Sequence, residues 1–420
     1  MADPNNIPNV YPIIEENGQL FYVINSTGEQ LPLLPDNQSY TPEEFIGNPE
    51  GTQDGLRFDF SGLPEVEGGK LYVGTIVYGD GEYPQPVYPN AVSEIGEDGT
   101  AEFSIRRFFS EDINDPSRDF DLTQRIIVGE ATFGYRVLNA EGIPLYEGKL
   151  GVIGGIDSDD FEVNNGSIIV GPFVNYQVDG TLDDGARISF DTLTETDAVV
   201  DIYEKDGGLV GSFNSTEPGT KHEIAITGLN PSTEYEYTIE ATSTVDGDNY
   251  SARLLGDDGV SIEDFRYEFE TAPAPGSDEP ITFAFTSDGR TGSSGILGGE
   301  RFLAESINAY ILKKAAALAA YEGADIFQFS GDLISGYDSD VETHQAELQA
   351  WKRTIEPFAG QFPFVAGIGN HDAALSDVFD DGSRFGIAVD KFPFETQSGE
   401  AIFAEAFVNP ENGPISEDGT

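Results

Sequence analysis

Three short stretches bring together residue types that can hold a metal ion. Ser287-Asp288-Gly289-Arg290, Gly331-Asp332-Leu333-Ile334-Ser335 and Gly369-Asn370-His371-Asp372 each follow an apolar run with strand character. Each turns through glycine at a carboxylate, amide or imidazole. Oxygen and nitrogen donors gathered in one place suit hard or borderline divalent cations, and an aspartate set between two ions can bridge them.

The elements between these stretches determine whether they meet. Between the first two, Leu303, Ile307, Tyr310, Ile311, Leu318 and Tyr321 recur at helical spacing around an alanine-rich middle, and Gly323 is placed to end the helix. These apolar residues are expected to form its buried face. A second helical pattern, Val341, His344, Leu348, Trp351 and Ile355, follows Ser339 and Glu342, which read as a capping box, and Pro363 opens the third strand. Strand, helix, strand, helix, strand implies parallel strands joined by right-handed crossovers. Their carboxyl ends lie along one edge, so Asp288, Asp332, Asn370 and His371 should converge there.

In order and spacing the three motifs resemble the first blocks of the calcineurin-like metallophosphoesterases. The resemblance implies a dinuclear centre of divalent or trivalent ions (iron, manganese or zinc), with Asp288 on the first ion, Asp332 bridging and Asn370 on the second. It casts His371 as proton donor or phosphate stabiliser, and the substrate as a phosphate ester. Where that family has histidine two residues after the first aspartate, this chain has Arg290. A guanidinium cannot ligate a metal but can pair with a phosphate oxygen, so Arg290 joins His371 as a candidate catalytic residue. No histidine follows His371, leaving the family's later histidine blocks without counterpart. The expectation is the amino-terminal part of such a domain over residues 281–420, with an incomplete metal site that turns over substrate poorly or not at all.

The preceding chain reads as all-β. Residues 1–50 form a polar, proline-punctuated arm. From 51 to 156, short alternating runs such as those around Phe58, Val73, Phe103 and Phe133, separated by turns rich in Gly, Asp and Pro, predict a β-sandwich. Residues 157–273 predict a second sandwich, with strands near 167–173, 186–190, 198–203, 222–226 and 235–244. There, Leu229-Asn230-Pro231-Ser232-Thr233-Glu234-Tyr235 resembles the turn into a late strand of fibronectin type III domains, which implies a tyrosine corner at Tyr235. A proline-rich linker, 274–280, follows. Sandwich, spacer and then a strand ending in aspartate is the order seen in purple acid phosphatases, which the chain resembles from about residue 160. Ser335 stands where that subfamily has an iron-ligating tyrosine.

Composition narrows the setting. Acids outnumber Lys plus Arg 76 to 21, for a formal charge of -55. A phosphate backbone is bound by cationic surface, so nucleic acid is excluded as a partner. Such a surface repels itself unless salt or divalent cations screen it, which favours an extracellular or cell-surface location and leaves room for a surface assembly or oligomer. No signal-peptide pattern opens the chain, cysteine is absent, and no apolar run of 18 residues could span a membrane. Acidic turns at Asp157 to Asp160, Asp246 to Asn249 and Asp338 to Asp340 are candidate calcium ligands without EF-hand spacing. Of the other histidines, His222 is expected to be partly exposed on a strand and His344 to be packed on its helix. Two functions stay open: a metal-dependent phosphoesterase, or a structural or adhesive sandwich protein with an inactive phosphatase-like domain.

Overall fold

A computed structural model describes residues 13–17, 19–23, 28, 30–32, 42–63, 66–76, 78, 83–88, 92–106, 130–155, 158–176, 185–257, 262–290, 306–336, 341–373, 396 and 398–409. It is a β-rich protein of several sheets with few helices. Its amino-terminal part contains a small antiparallel sheet of Ile13–Glu16, Gln19–Val23 and Gln30–Pro32. Two further sheets follow, one built on Gly55–Asp59 and Thr100–Ser104, the other on Lys70–Ile76, Glu130–Leu138 and Pro144–Ile153. Alternation along these strands turns Leu56, Phe58, Leu71, Val73, Phe103, Phe133, Tyr135 and Leu150 into one core, which Phe45 and Phe161 join from outside the predicted limits of this unit. The predicted run ending at Phe133 starts at Arg125; positions 125–129 lie outside the described residues, and the rest falls in the strand Glu130–Leu138.

In the second unit the predicted strands at 186–190 and 198–203 are halves of one strand, Gly185–Glu204. Its first half pairs with Ile168–Tyr176 and Gly219–Thr227, its second with Leu209–Asn214 and Glu234–Val245. A register shift between Asp191 and Thr196 lets the strand pass from one layer to the other. Ile188, Phe190, Val200, Ile202, Ile224, Tyr237 and Ile239 fill the space between. The Tyr235 hydroxyl accepts a hydrogen bond from the Asn230 backbone N–H at 2.9 Å, the local contact that defines a tyrosine corner.

His222 departs from expectation. It is buried, stacks on Phe190 with ring centroids 4.9 Å apart, and lies 2.8 Å from the Thr196 hydroxyl. Its strand alternates strictly, and position 222 falls on the inner face with Ile224 and Ile226. Burial holds the imidazole below its usual pKa of 6.5. The folded state therefore resists a proton that the unfolded chain accepts, so this contribution is complete above about pH 6.5 and is lost as pH falls through the folded-state value. His222→Gln, which cannot charge, should flatten the acid limb of a stability-against-pH curve measured by urea unfolding; an unchanged limb would refute this assignment.

The third unit holds three parallel strands, β1 (Phe283–Thr286), β2 (Ile326–Phe329) and β3 (Phe364–Ala366), with β2 in the middle. Between them run α1 (Ala309–Tyr321) and α2 (Val341–Ala359). α1 begins at Asn308, whose side chain caps Ile311 N–H, and ends before Gly323, at φ +69°. Its buried face is Leu312, Ala316 and Ala319; of the predicted apolar positions Ile307, just ahead of the helix, is buried, whereas Tyr310, Ile311, Leu318 and Tyr321 are 56–84% exposed. Small residues let α1 lie close against its neighbours, and apolar residues on both faces had hidden which face that was. Leu303 and the capping residue Ser339 lie outside the described residues. On α2 every predicted apolar position is buried, His344 included. Among the described residues no helix is long and apolar enough to cross a membrane.

Candidate metal and phosphate site

Each of the three parallel strands ends in one of the predicted motifs, and the three loops touch. Asp288 N–H donates to Gly331 O at 3.1 Å, joining the first loop to the second. His371 N–H donates to Asp332 Oδ1 at 3.3 Å, joining the third to the second. Asp332, in the loop that follows the central strand, is therefore the hub. Asp288 and Asp332 both adopt left-handed backbone angles, φ 55° and 56°, which aspartate tolerates better than most side chains and which lift both carboxylates out of strand geometry. The close approach requires glycine: a Cβ on Gly369 would lie 2.3 Å from Asp332 N, and one on Gly336 would lie 1.8 Å from His371 O.

Asp288 and Asn370 are exposed, and the Asp332 side chain is 14% exposed. The Asp288 carboxylate accepts from the Ser287 hydroxyl at 2.7 Å. Arg290 lies with Nε 3.3 Å from Asp332 Oδ2, so its guanidinium is already against a carboxylate and part of its charge is spent there. His371 is buried except for 8%, and its Nδ1 is 2.6 Å from Ser335 O. A carbonyl only accepts, so Nδ1 carries the proton in this contact.

Support comes from residues that the motifs did not single out. Asp372 is fully buried and accepts backbone N–H bonds from Leu333 (2.9 Å), Ile334 (3.3 Å) and Gly369 (2.8 Å). Burial raises its pKa from the ordinary carboxylate value, against the lowering effect of those N–H groups. Glu347 and His344 reach the same loops from α2, Glu347 Oε2 accepting from Gly336 N–H at 3.0 Å and His344 Nε2 donating to Asp372 O at 3.1 Å. The available signal was a carboxylate, Glu347, beside the apolar stripe of a helix.

The donor set can be tested against a metal. Asp288, Asp332 and the Asn370 amide offer oxygen alone, which suits one hard divalent ion with water completing its shell. Among the described residues no group of three or more His, Cys, Asp or Glu side chains is arranged to hold a metal, so a second ion would need ligands beyond them. The acidic turns fare no better. Asp246 and Gly247, both at positive φ, form the two-residue turn that joins Glu234–Val245 to Asp248–Arg253. Ser158 and Asp159 give their carbonyls to Arg106; Asp157 and the turn at 338–340 lie outside the described residues.

No known family pattern matches the chain, and no curated protein matches it. Among solved structures, a purple acid phosphatase from yellow lupin (Lupinus luteus) seeds aligns over 85% of this chain and 59% of its own, with 14% identity and a TM-score of 0.39. A β-glucuronidase from Parabacteroides merdae aligns over 74% of this chain and 38% of its own, with 8% identity and a TM-score of 0.20. The chain thus spans less than two thirds of either protein, and likenesses this distant carry no argument about its activity.

Proposed function

We propose that the chain is part of a metal-dependent phosphoesterase acting outside the cell or at its surface. One observation carries the reading: three loops at the carboxyl edge of a parallel sheet meet around Asp332, with two carboxylates, an amide, a guanidinium and an imidazole among them. A divalent ion bound there would polarise a phosphoryl oxygen and lower the pKa of a bound water. The residues divide the remaining work. Asp288, Asp332 and Asn370 would hold the ion, Arg290 would give N–H donors to phosphate oxygens, and His371 would pass a proton to the leaving oxygen from Nε2 while Ser335 O keeps its ring oriented. The acidic surface supports the location, because saline surroundings screen it.

The Arg290–Asp332 pair supports a second reading, in which a guanidinium already neutralises the hub carboxylate and the domain is a non-catalytic part of an exterior scaffold. Hydrolysis of an aryl phosphate across a manganese series separates the two. The phosphoesterase reading expects slow turnover that disappears with a chelator and returns with manganese. Absence of turnover, with no binding of inorganic phosphate in the presence of manganese, would favour the scaffold.

A further inference from the structure

We infer that Asp372 is a positioning residue whose buried carboxylate clamps the loop carrying Asp332 to the loop carrying Asn370 and His371, and so sets the spacing of the donors. The clamp stands on the hydrogen bonds alone; its consequence for metal binding rests on the phosphoesterase reading.

Its two oxygens take three backbone N–H groups from two loops: Oδ1 those of Leu333 and Ile334, Oδ2 that of Gly369. Leu333 directly follows Asp332, and Gly369 directly precedes Asn370, so the clamped groups adjoin the donors. Only an ionised carboxylate offers acceptors on both sides and no donor, so it alone of the common side chains satisfies all three. The clamp is itself braced. His344 holds the Asp372 carbonyl, and Glu347, three residues along α2, holds Gly336, whose close contact with the His371 carbonyl leaves no room for a side chain. One helix thereby supports both loops, and a shift of Asp372 would be felt at Asn370 and at the His371 ring together.

Asp372→Asn tests this, because an amide keeps one acceptor and turns the other into a donor. The favoured orientation puts Oδ1 toward Leu333 and Ile334, where two N–H groups point, and sets the NH₂ against Gly369 N–H. In backbone amide exchange, Gly369 should lose protection while Leu333 and Ile334 keep theirs, and manganese affinity should drop about 10–100-fold, the usual effect of removing a support behind a ligand. Unchanged protection at Gly369 would overturn the clamp. Lost protection with unchanged manganese affinity would overturn the positioning role and leave the functional reading standing. A wild-type chain that binds no manganese would defeat that reading and the metal half of this one, while Gly369 exchange would still decide the clamp. Should the variant not fold, the wild-type chain decides: rapid exchange of Leu333, Ile334 and Gly369 in an otherwise protected protein would refute the clamp.

Discussion

Asp332→Asn is expected to abolish metal-dependent hydrolysis and to weaken manganese binding by more than the roughly 10–100-fold that loss of a mere supporting partner costs. Asp332 lies where the three loops meet, one oxygen receiving His371 N–H and the other facing Arg290. An amide is isosteric but uncharged, so the ion would lose half of the carboxylate charge offered by Asp288 and Asp332. An amide still offers an acceptor to His371 N–H, so the fold should persist. The pair with Arg290 is partly buried, 33% exposed on the arginine side and 14% on the aspartate side, so some stability is lost with it. Intact folding with lost binding, read by circular dichroism beside calorimetric titration, is the expected result. A variant that binds manganese like the wild type would remove Asp332 from the site.

Trp351→Ala should have the largest effect on stability. Trp351 is 1% exposed on α2, edge-on to Phe329 of the central strand at 5.4 Å and to Phe407 at 5.6 Å. It fills the space between the helix and the sheet that carries Asp332. Truncation removes a large apolar surface and leaves a cavity, at a cost of about 3–5 kcal/mol. Its indole N–H has no hydrogen-bond partner among the described residues, so little of that cost is polar. With a shift of about 2–4 °C per kcal/mol for a unit of this size, melting should fall by roughly 6–20 °C. Trp351→Phe should recover much of the loss. As the chain has a single tryptophan, unfolding is best followed by circular dichroism. A shift below about 2 °C for the alanine variant would mean that this packing contributes little.

The strand and helix order of the third unit was legible because its apolar runs are short, end in glycine and alternate with helical periods. The tyrosine corner was legible for a similar reason: Tyr235 follows Asn230-Pro231 at a fixed offset, and a local turn needs no distant partner. What was not legible depends on long-range packing. The α1 sequence is apolar on nearly all sides, so only its approach to α2 decides that Ala316 and Ala319 are inside and Tyr310 and Tyr321 outside. His222 reads as a polar strand residue until the register of Gly219–Thr227 turns it inward. The 20-residue strand appeared as two because Thr192 to Glu195 break the alternation where it changes layer. At the candidate site, the convergence of the loops carrying Asp288, Asp332 and Asn370 was visible from glycine-flanked strand ends. The role of Asp372 was not, since a carboxylate that accepts from main chain leaves no pattern in its partners, here Leu333, Ile334 and Gly369.

The central claim is that the loops ending β1, β2 and β3 form a divalent-metal site organised on Asp332. Equilibrium dialysis of the wild-type chain and Asp332→Asn against manganese, followed by elemental analysis, tests it most directly. The account predicts at least one ion retained per wild-type chain, released by a chelator, and none retained by Asp332→Asn under the same conditions. Equal retention by both chains, or retention by neither, would contradict it.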